Sequence, residues 1–421
     1  MQTPTPLPLT RDLVLIGGGH THALVLHGFA MRPLPGLRIT VINPDPTAPY
    51  TGMLPGHIAG HYARHDLDID LVQLARRAGA RLILGRATGI DRAEKLIHVT
   101  GRPPVAYDVA ALDIGITSDL PEIPGFAAHA VAAKPLGAYA RAWESWLARV
   151  AEGAIAPQIA IIGGGVAGVE LALAMHHRLK GRAAEITIID GARLLPHIGP
   201  KARARLLAHL ARAGIAAREG VQVAEITAQG VRLRDGTELA ASLTLGAAGA
   251  RAQGWLQQTG LHLTEGFVTV DKHLRSVSDP DIFAVGDCAH MAHAPRPKAG
   301  VYAVRQAPVL LDNLRAALGA GQMRAYHPQR DYLKLVSLGG KRALADKWGF
   351  APEGGWLWGV KDRIDAAFMA KFRSPKARPH PLPPAMAEGL REMLEGRPLC
   401  GGCGAKLGAQ TLRAARPHIP H

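Results

Sequence analysis

A glycine-rich loop and an acid between residues 163 and 190 carry the clearest chemistry in this sequence. Gly163, Gly165 and Gly168 stand in GxGxxG spacing directly after the apolar run QIAII. The first glycine permits a tight turn, the second lets a pyrophosphate approach the backbone, and the third lets helix and strand pack closely. Gly164 completes the loop. Phosphates held there would rest on the free N–H groups of the next helix, where the dipole favours anions. Asp190 ends the following β-branched run, EITIID, where a carboxylate accepts from adenosine ribose hydroxyls. A second loop of this kind opens the chain, in altered form. Gly17, Gly18 and Gly19 follow DLVLI, but His22 takes the third glycine position, with Ala23 next to it. Asn43 stands where the acid is expected, with Asp45 nearby as a substitute. Alone, this loop reads equally as a cofactor site or a plain turn.

These residues need strands and helices to hold them. DLVLIGGG at 12–19 and QIAIIGGG at 158–165 lie 146 residues apart, and each is followed by a helical stretch and a β-branched run. Strand, glycine loop, helix and strand, twice over, predict an α/β chain with two Rossmann-like dinucleotide-binding domains. The chain has 421 residues, enough for two or three domains. Its three cysteines, at 288, 400 and 403, cannot form a disulfide framework, which points to a reducing, cytoplasmic setting. No secretory leader is visible, and no stretch reads as a membrane span. The net charge of +15 is spread over scattered arginines with few aromatics between them, so nucleic acid is not expected as a partner. His57, His61 and His65 share a helical spacing, but no acid joins them at ligand spacing, and no metal site is expected.

A third segment, VSDPDIFAVGDC at 277–288, follows the two loops. With it the chain resembles the pyridine nucleotide-disulfide oxidoreductase superfamily, in which an FAD domain is interrupted by an NAD domain. The resemblance implies FAD and NADH as cofactors. It places the ribityl chain of FAD on Asp287, beside Gly286. It further implies FAD contacts at His20, Gly52, Ala87, Gly115, Ala299 and Gly300. Asp113-Ile114-Gly115 stands where Ala-Thr-Gly is usual in the family. The implied division is 8–118 and 251–325 for the FAD domain, 119–250 for the NAD(P)H domain, 326–385 for a small α+β region and 386–421 for a tail.

The family's disulfide members need a CxxxxC pair after the first loop, and no cysteine precedes residue 288. Direct hydride transfer to flavin remains, as in the type II NADH dehydrogenase branch. There Glu170 matches an acid near the nicotinamide; its plain alternative is a first-turn helix acid. Lys298, in PKAGVYAVRQ, would stabilise reduced flavin, or is a surface lysine. Residues 356–373 read as an amphipathic helix with Leu357, Val360, Ile364, Ala367 and Phe368 on one face. It is expected to pack on the flavin domain or a dimer partner, with peripheral docking on the inner face of a membrane as the alternative. The tail segment CGGCGAKLG resembles the start of selenide, water dikinase, with Cys403 and Lys406 at matching positions. The expected function is an NADH dehydrogenase-like flavoprotein delivering electrons to a small-molecule acceptor, a quinone or a selenium or sulfur species. A sulfide- or selenide:quinone reductase and a non-catalytic partner of that kinase are the rivals.

Overall fold

The computed structural model describes residues 8–373. The tail motif, with Cys400, Cys403 and Lys406, lies outside the described residues. Two five-stranded parallel sheets dominate. In the first, the spatial order is Ile282–Ala284, Val109–Leu112, Arg11–Ile16, Leu37–Asn43, Arg81–Leu84. In the second it is Ala130–Ala132, Leu243–Gly246, Gln158–Ile162, Glu185–Asp190, Ala216–Glu219. Each glycine loop thus leaves the central strand of its sheet. The strand order reverses there, and a crevice opens at the carboxyl ends of the strands, where doubly wound sheets bind ligands.

From Leu13 and from Ile159 onward the central strands are apolar, because helices cover both faces. Leu13, Val14, Leu15 and Ile16 are at most 1% exposed, and Ile159 to Ile162 are similarly buried. In the first half, helix His20–Met31 lies against helix Gly300–Ala317, and at Gly28 a Cβ would strike the Leu311 side chain at 2.4 Å. Each half also carries a three-stranded antiparallel ribbon before its crossing strand: residues 87–106 in one, 223–240 in the other.

A smaller sheet follows, of Lys334–Ser337, Ala343–Asp346 and Glu353–Gly354, with its first hairpin turning at Gly339-Gly340. Helix Gly355–Ala370 leaves this sheet. Its buried face matches the one the sequence suggests only at Leu357 and Phe368, with Val360 half-buried. Leu357, Asp365, Phe368 and Met369 are buried, while Ile364 is 52% exposed and Ala367 also faces outward. The reason is electrostatic. Lys361 and Asp365 pair at 2.7 Å, one turn apart, so both can turn inward with their charges matched.

Candidate functional site

The first glycine loop floors a cleft of about 330 Å³ at the carboxyl ends of the first sheet's strands. Gly17, Gly18, Gly19, His20, Asn43, Ala87, Gly115, Asp287 and Gly300 all line it. Gly17 has φ +90° and lies so close to the Asp113 carbonyl that a Cβ would sit 2.4 Å from the oxygen. Gly18 N donates to Asn43 Oδ1 at 2.9 Å, and a Cβ on Gly18 would meet Leu71. The middle glycine and the residue ending the second strand are bonded identically in the other half, where Gly164 N donates to Asp190 Oδ2 at 2.6 Å. Asn43 therefore does for its loop what Asp190 does for the second, without the charge.

Two expectations about this loop change. His22, standing for the third glycine, is fully buried, and its Nδ1 lies 2.7 Å from the Gly17 carbonyl. Burial pushes its imidazole down to about 4, so the ring is neutral and packs like an apolar residue. The space around Gly19 belongs to the chain itself: a Cβ would strike the Asp113 carboxyl carbon at 2.3 Å. Asp113 is 4% exposed and lines the cleft. The sequence marked it only as a departure from a family pattern.

Asp287 Oδ2 pairs with Lys134 Nζ at 3.0 Å, and both reach the cleft wall. Nothing in the sequence pointed to Lys134, which arrives from the first strand region of the second half. Gly286 N donates to Gln306 Oε1 at 2.7 Å, fixing the turn that presents Asp287. Ala299 caps helix Gly300–Ala317, whose first residue faces the cleft. Lys298 does not line the cleft. Its Nζ donates to the Ala289 carbonyl at 2.5 Å and sits 3.8 Å from the Phe267 ring centre, so burial lowers its pKa in a structural role.

Gly52 borders the cleft next to Thr51, and its carbonyl accepts from Lys361 Nζ at 2.5 Å. Tyr50 OH donates to Asp365 Oδ1 at 2.9 Å, and its ring stacks on Phe368 and meets His20 edge-on. The C-terminal helix thus clamps the loop that follows Pro49, a connection with no sequence signal across some 310 residues.

In the second loop, Gly163 has φ +117°, and a Cβ on Gly168 would lie 2.0 Å from the Gly163 carbonyl oxygen. Gly165 caps the helix, with open space where its Cβ would stand. Asp190 Oδ1 also accepts from Ala192 N at 2.8 Å. Glu170 lies on the same helix, apart from the flavin cleft. Its Oε1 accepts from Ser337 N at 2.6 Å, so it is no solvated first-turn acid. Burial pushes its carboxyl up to about 7, against the opposing pull of Lys361.

These residues fit dinucleotides in both halves. The first cleft is lined by the glycine loop, Asn43 and Asp287, which would face the phosphates and riboses of a dinucleotide bound there. Bound FAD supplies the redox chemistry, and the chain supplies orientation and charge.

Comparison with known proteins agrees. The signature of the pyridine nucleotide-disulphide oxidoreductase family matches residues 11–307. The NADH dehydrogenase-like protein YutJ of Bacillus subtilis is 23% identical over 292 residues, 68% of this chain and 78% of that protein. The type II NADH:quinone oxidoreductase of Haemophilus influenzae is 29% identical over 217 residues, 46% of this chain and 48% of that one. In fold, the chain is similar to NDH2 of Plasmodium falciparum in complex with NADH, with TM-score 0.73 and 14% identity over 86% of this chain and 97% of that one. It is also similar to the sulfide:quinone oxidoreductase of Aquifex aeolicus, with TM-score 0.69 and 19% identity over 86% and 92%. With two dinucleotide folds, each carrying its own phosphate loop, the chain belongs to the pyridine nucleotide-disulphide oxidoreductase family and is an FAD-dependent NADH oxidoreductase.

Proposed function

We propose that the electrons taken from NADH leave the flavin directly for a quinone-class acceptor, at a membrane surface and without a thiol relay. The observation that carries the direct route is Cys288. No cysteine precedes it, it is fully buried, and its Sγ lies 3.2 Å from the Val285 carbonyl and 3.5 Å from that of Leu112. Burial pushes the thiol up to about 12, the opposite of what a nucleophilic thiolate needs. NADH, a quinone and one proton give NAD⁺ and a quinol, so the balance requires only solvent protons.

Two features support a lipid-soluble acceptor. The type II NADH:quinone oxidoreductase of Haemophilus influenzae is among the relatives. Trp348, Phe350 and Trp356 are 77%, 69% and 64% exposed, and Lys347 Nζ sits 4.2 Å from the Trp348 ring centre. Exposed tryptophans beside cations suit the headgroup layer of an anionic membrane. Among the described residues no helix is long and apolar enough to cross a membrane; the contact proposed is a peripheral one. A selenium or sulfur species is the second reading, with selenide, water dikinase as partner; it rests on the resemblance of CGGCGAKLG to that kinase and of GGGHTHALVL, PYTGMLPG, PKAGVYAVRQ and KDRIDAAFM to flavoproteins fused to it.

Anaerobic stopped-flow mixing tests the route. NADH bleaches the flavin, and a short-chain quinone restores its colour about tenfold faster than selenite, tetrathionate or oxygen. Cys288→Ser leaves both steps within about twofold, because no thiol takes part. Reoxidation by selenite alone would move the assignment to selenium chemistry.

A further inference from the structure

The two halves of this chain repeat each other closely enough to serve as mutual controls. Asp113 N donates to the Ile16 carbonyl at 2.9 Å, and Ala247 N donates to the Ile162 carbonyl at 2.7 Å. Asp113 and Ala247 therefore occupy the same place, one residue beyond the crossing strand and beside the glycine loop. In the NADH half that place holds a methyl group. In the flavin half it holds a carboxylate, and the carboxylate is engaged. Asp113 Oδ2 accepts from Thr21 N at 2.9 Å and from His22 N at 3.0 Å, the amides of the first turn of helix His20–Met31. Its other oxygen lies 2.7 Å from where a Gly286 Cβ would stand. The anion-binding end of that helix is filled by the chain's own anion.

We infer that Asp113 sets the affinity of the flavin site, as an internal anion competing with the cofactor pyrophosphate for the first-turn amides, so that FAD binds with uptake of one proton.

A pyrophosphate beside an ionised Asp113 would place like charges together in a buried cleft, where little water screens them. A protonated Asp113 removes that repulsion and can donate to a phosphate oxygen. Burial brings the neutral form within reach near neutral pH. Burial pushes Asp113 up to about 6; the His22 amide, His20 and the Thr21 amide pull it back, and Asp287 pushes it further up. The groups facing it are His20 from the helix, Asp287 with its Lys134 partner, and the buried Cys288 thiol. Burial lowers the pKa of His20, which with Asp287 is a further candidate for the proton.

The test follows FAD release from the full-length holoprotein by flavin fluorescence between pH 5.5 and 8.5, with calorimetry of rebinding at pH 7.5 in two buffers of different ionisation enthalpy. The expected result is a Kd rising about tenfold per pH unit above roughly pH 6, with about one proton taken up per FAD. Asp113→Asn keeps an acceptor for the two amides but carries no charge. It should bind about tenfold or more tightly at pH 8 and lose both the pH dependence and the proton uptake. Asp113→Ala, the residue of the other half, should behave likewise. A Kd of the unaltered protein that is flat with pH overturns the inference, whether or not a variant folds. So does proton uptake that persists in Asp113→Asn, which would assign the proton to another group of the cleft, or weaker binding by both variants at pH 8.

Discussion

Glu170 shows how one side chain's role depends on what packs against it. On its helix alone it is a carboxylate near an N-terminus. In the folded chain it reaches the C-terminal sheet, bonds Ser337 N and lies near Lys361 and Asp365. Its carboxyl is raised from 4.5 to about 7, so the folded state prefers the protonated form. Its stabilising contribution is therefore complete below about pH 4.5 and lost as pH rises through 7. Glu170→Gln, which still accepts from Ser337 N, should gain on the unaltered protein by about 2–3 kcal/mol between pH 5 and pH 8. Urea unfolding of both proteins at the two pH values measures this. An equal response to pH would show that Glu170 ionises freely in the folded state. The same variant should also lose any inflection near pH 7 from the rate of flavin reduction by NADH, if the carboxyl faces the nicotinamide as the family resemblance implies.

Among the elements, helix Gly355–Ala370 ties down the loop that borders the cleft. Tyr50, Lys361 and Asp365 form one hydrogen-bonded group, and Tyr62 adds a second tie through Asp362 at 2.5 Å. Removing only the acid leaves a buried ammonium without its counter-charge. Asp365→Ala should cost about 3–5 kcal/mol, while the double change Lys361→Met with Asp365→Leu should recover most of it. Chemical denaturation of the three proteins checks this as a cycle. Comparable losses in the single and double variants would show that the pair is not what holds the helix. Flavin fluorescence should become more mobile in Asp365→Ala, because the loop at Tyr50 and Gly52 loses its clamp.

For the whole molecule, the two halves bind different dinucleotides and can be disabled separately. A Cβ on Gly168 cannot fit 2.0 Å from the Gly163 carbonyl oxygen, so a larger residue forces helix and loop apart. Gly168→Val should keep a full complement of FAD and still bleach with dithionite, but lose reduction by NADH by about 100-fold or more. Absorbance at the flavin band follows all three. Loss of flavin together with NADH reduction would mean that the halves fold as one unit.

The sequence by itself determined the fold class and the two loops. Continuous apolar runs ending in glycines are local signals, and the geometry they impose is local too: Gly17 and Gly163 need positive φ whatever lies elsewhere. Asp190 and Asn43 were legible because they end the strand beside their own loop, at fixed spacing. The clamp by Lys361 and Asp365, the ion pair of Lys134 with Asp287, the withdrawal of Lys298 from the cleft and the occupation of helix amides by Asp113 were decided by tertiary structure. The clamp, the ion pair and the Asp113 contacts join segments about 90 to 315 residues apart, whereas Lys298 turns to Ala289, nine residues away. In each, a charge is tolerated in a buried place only because folding brings a partner to it, and no local pattern of residues records that meeting.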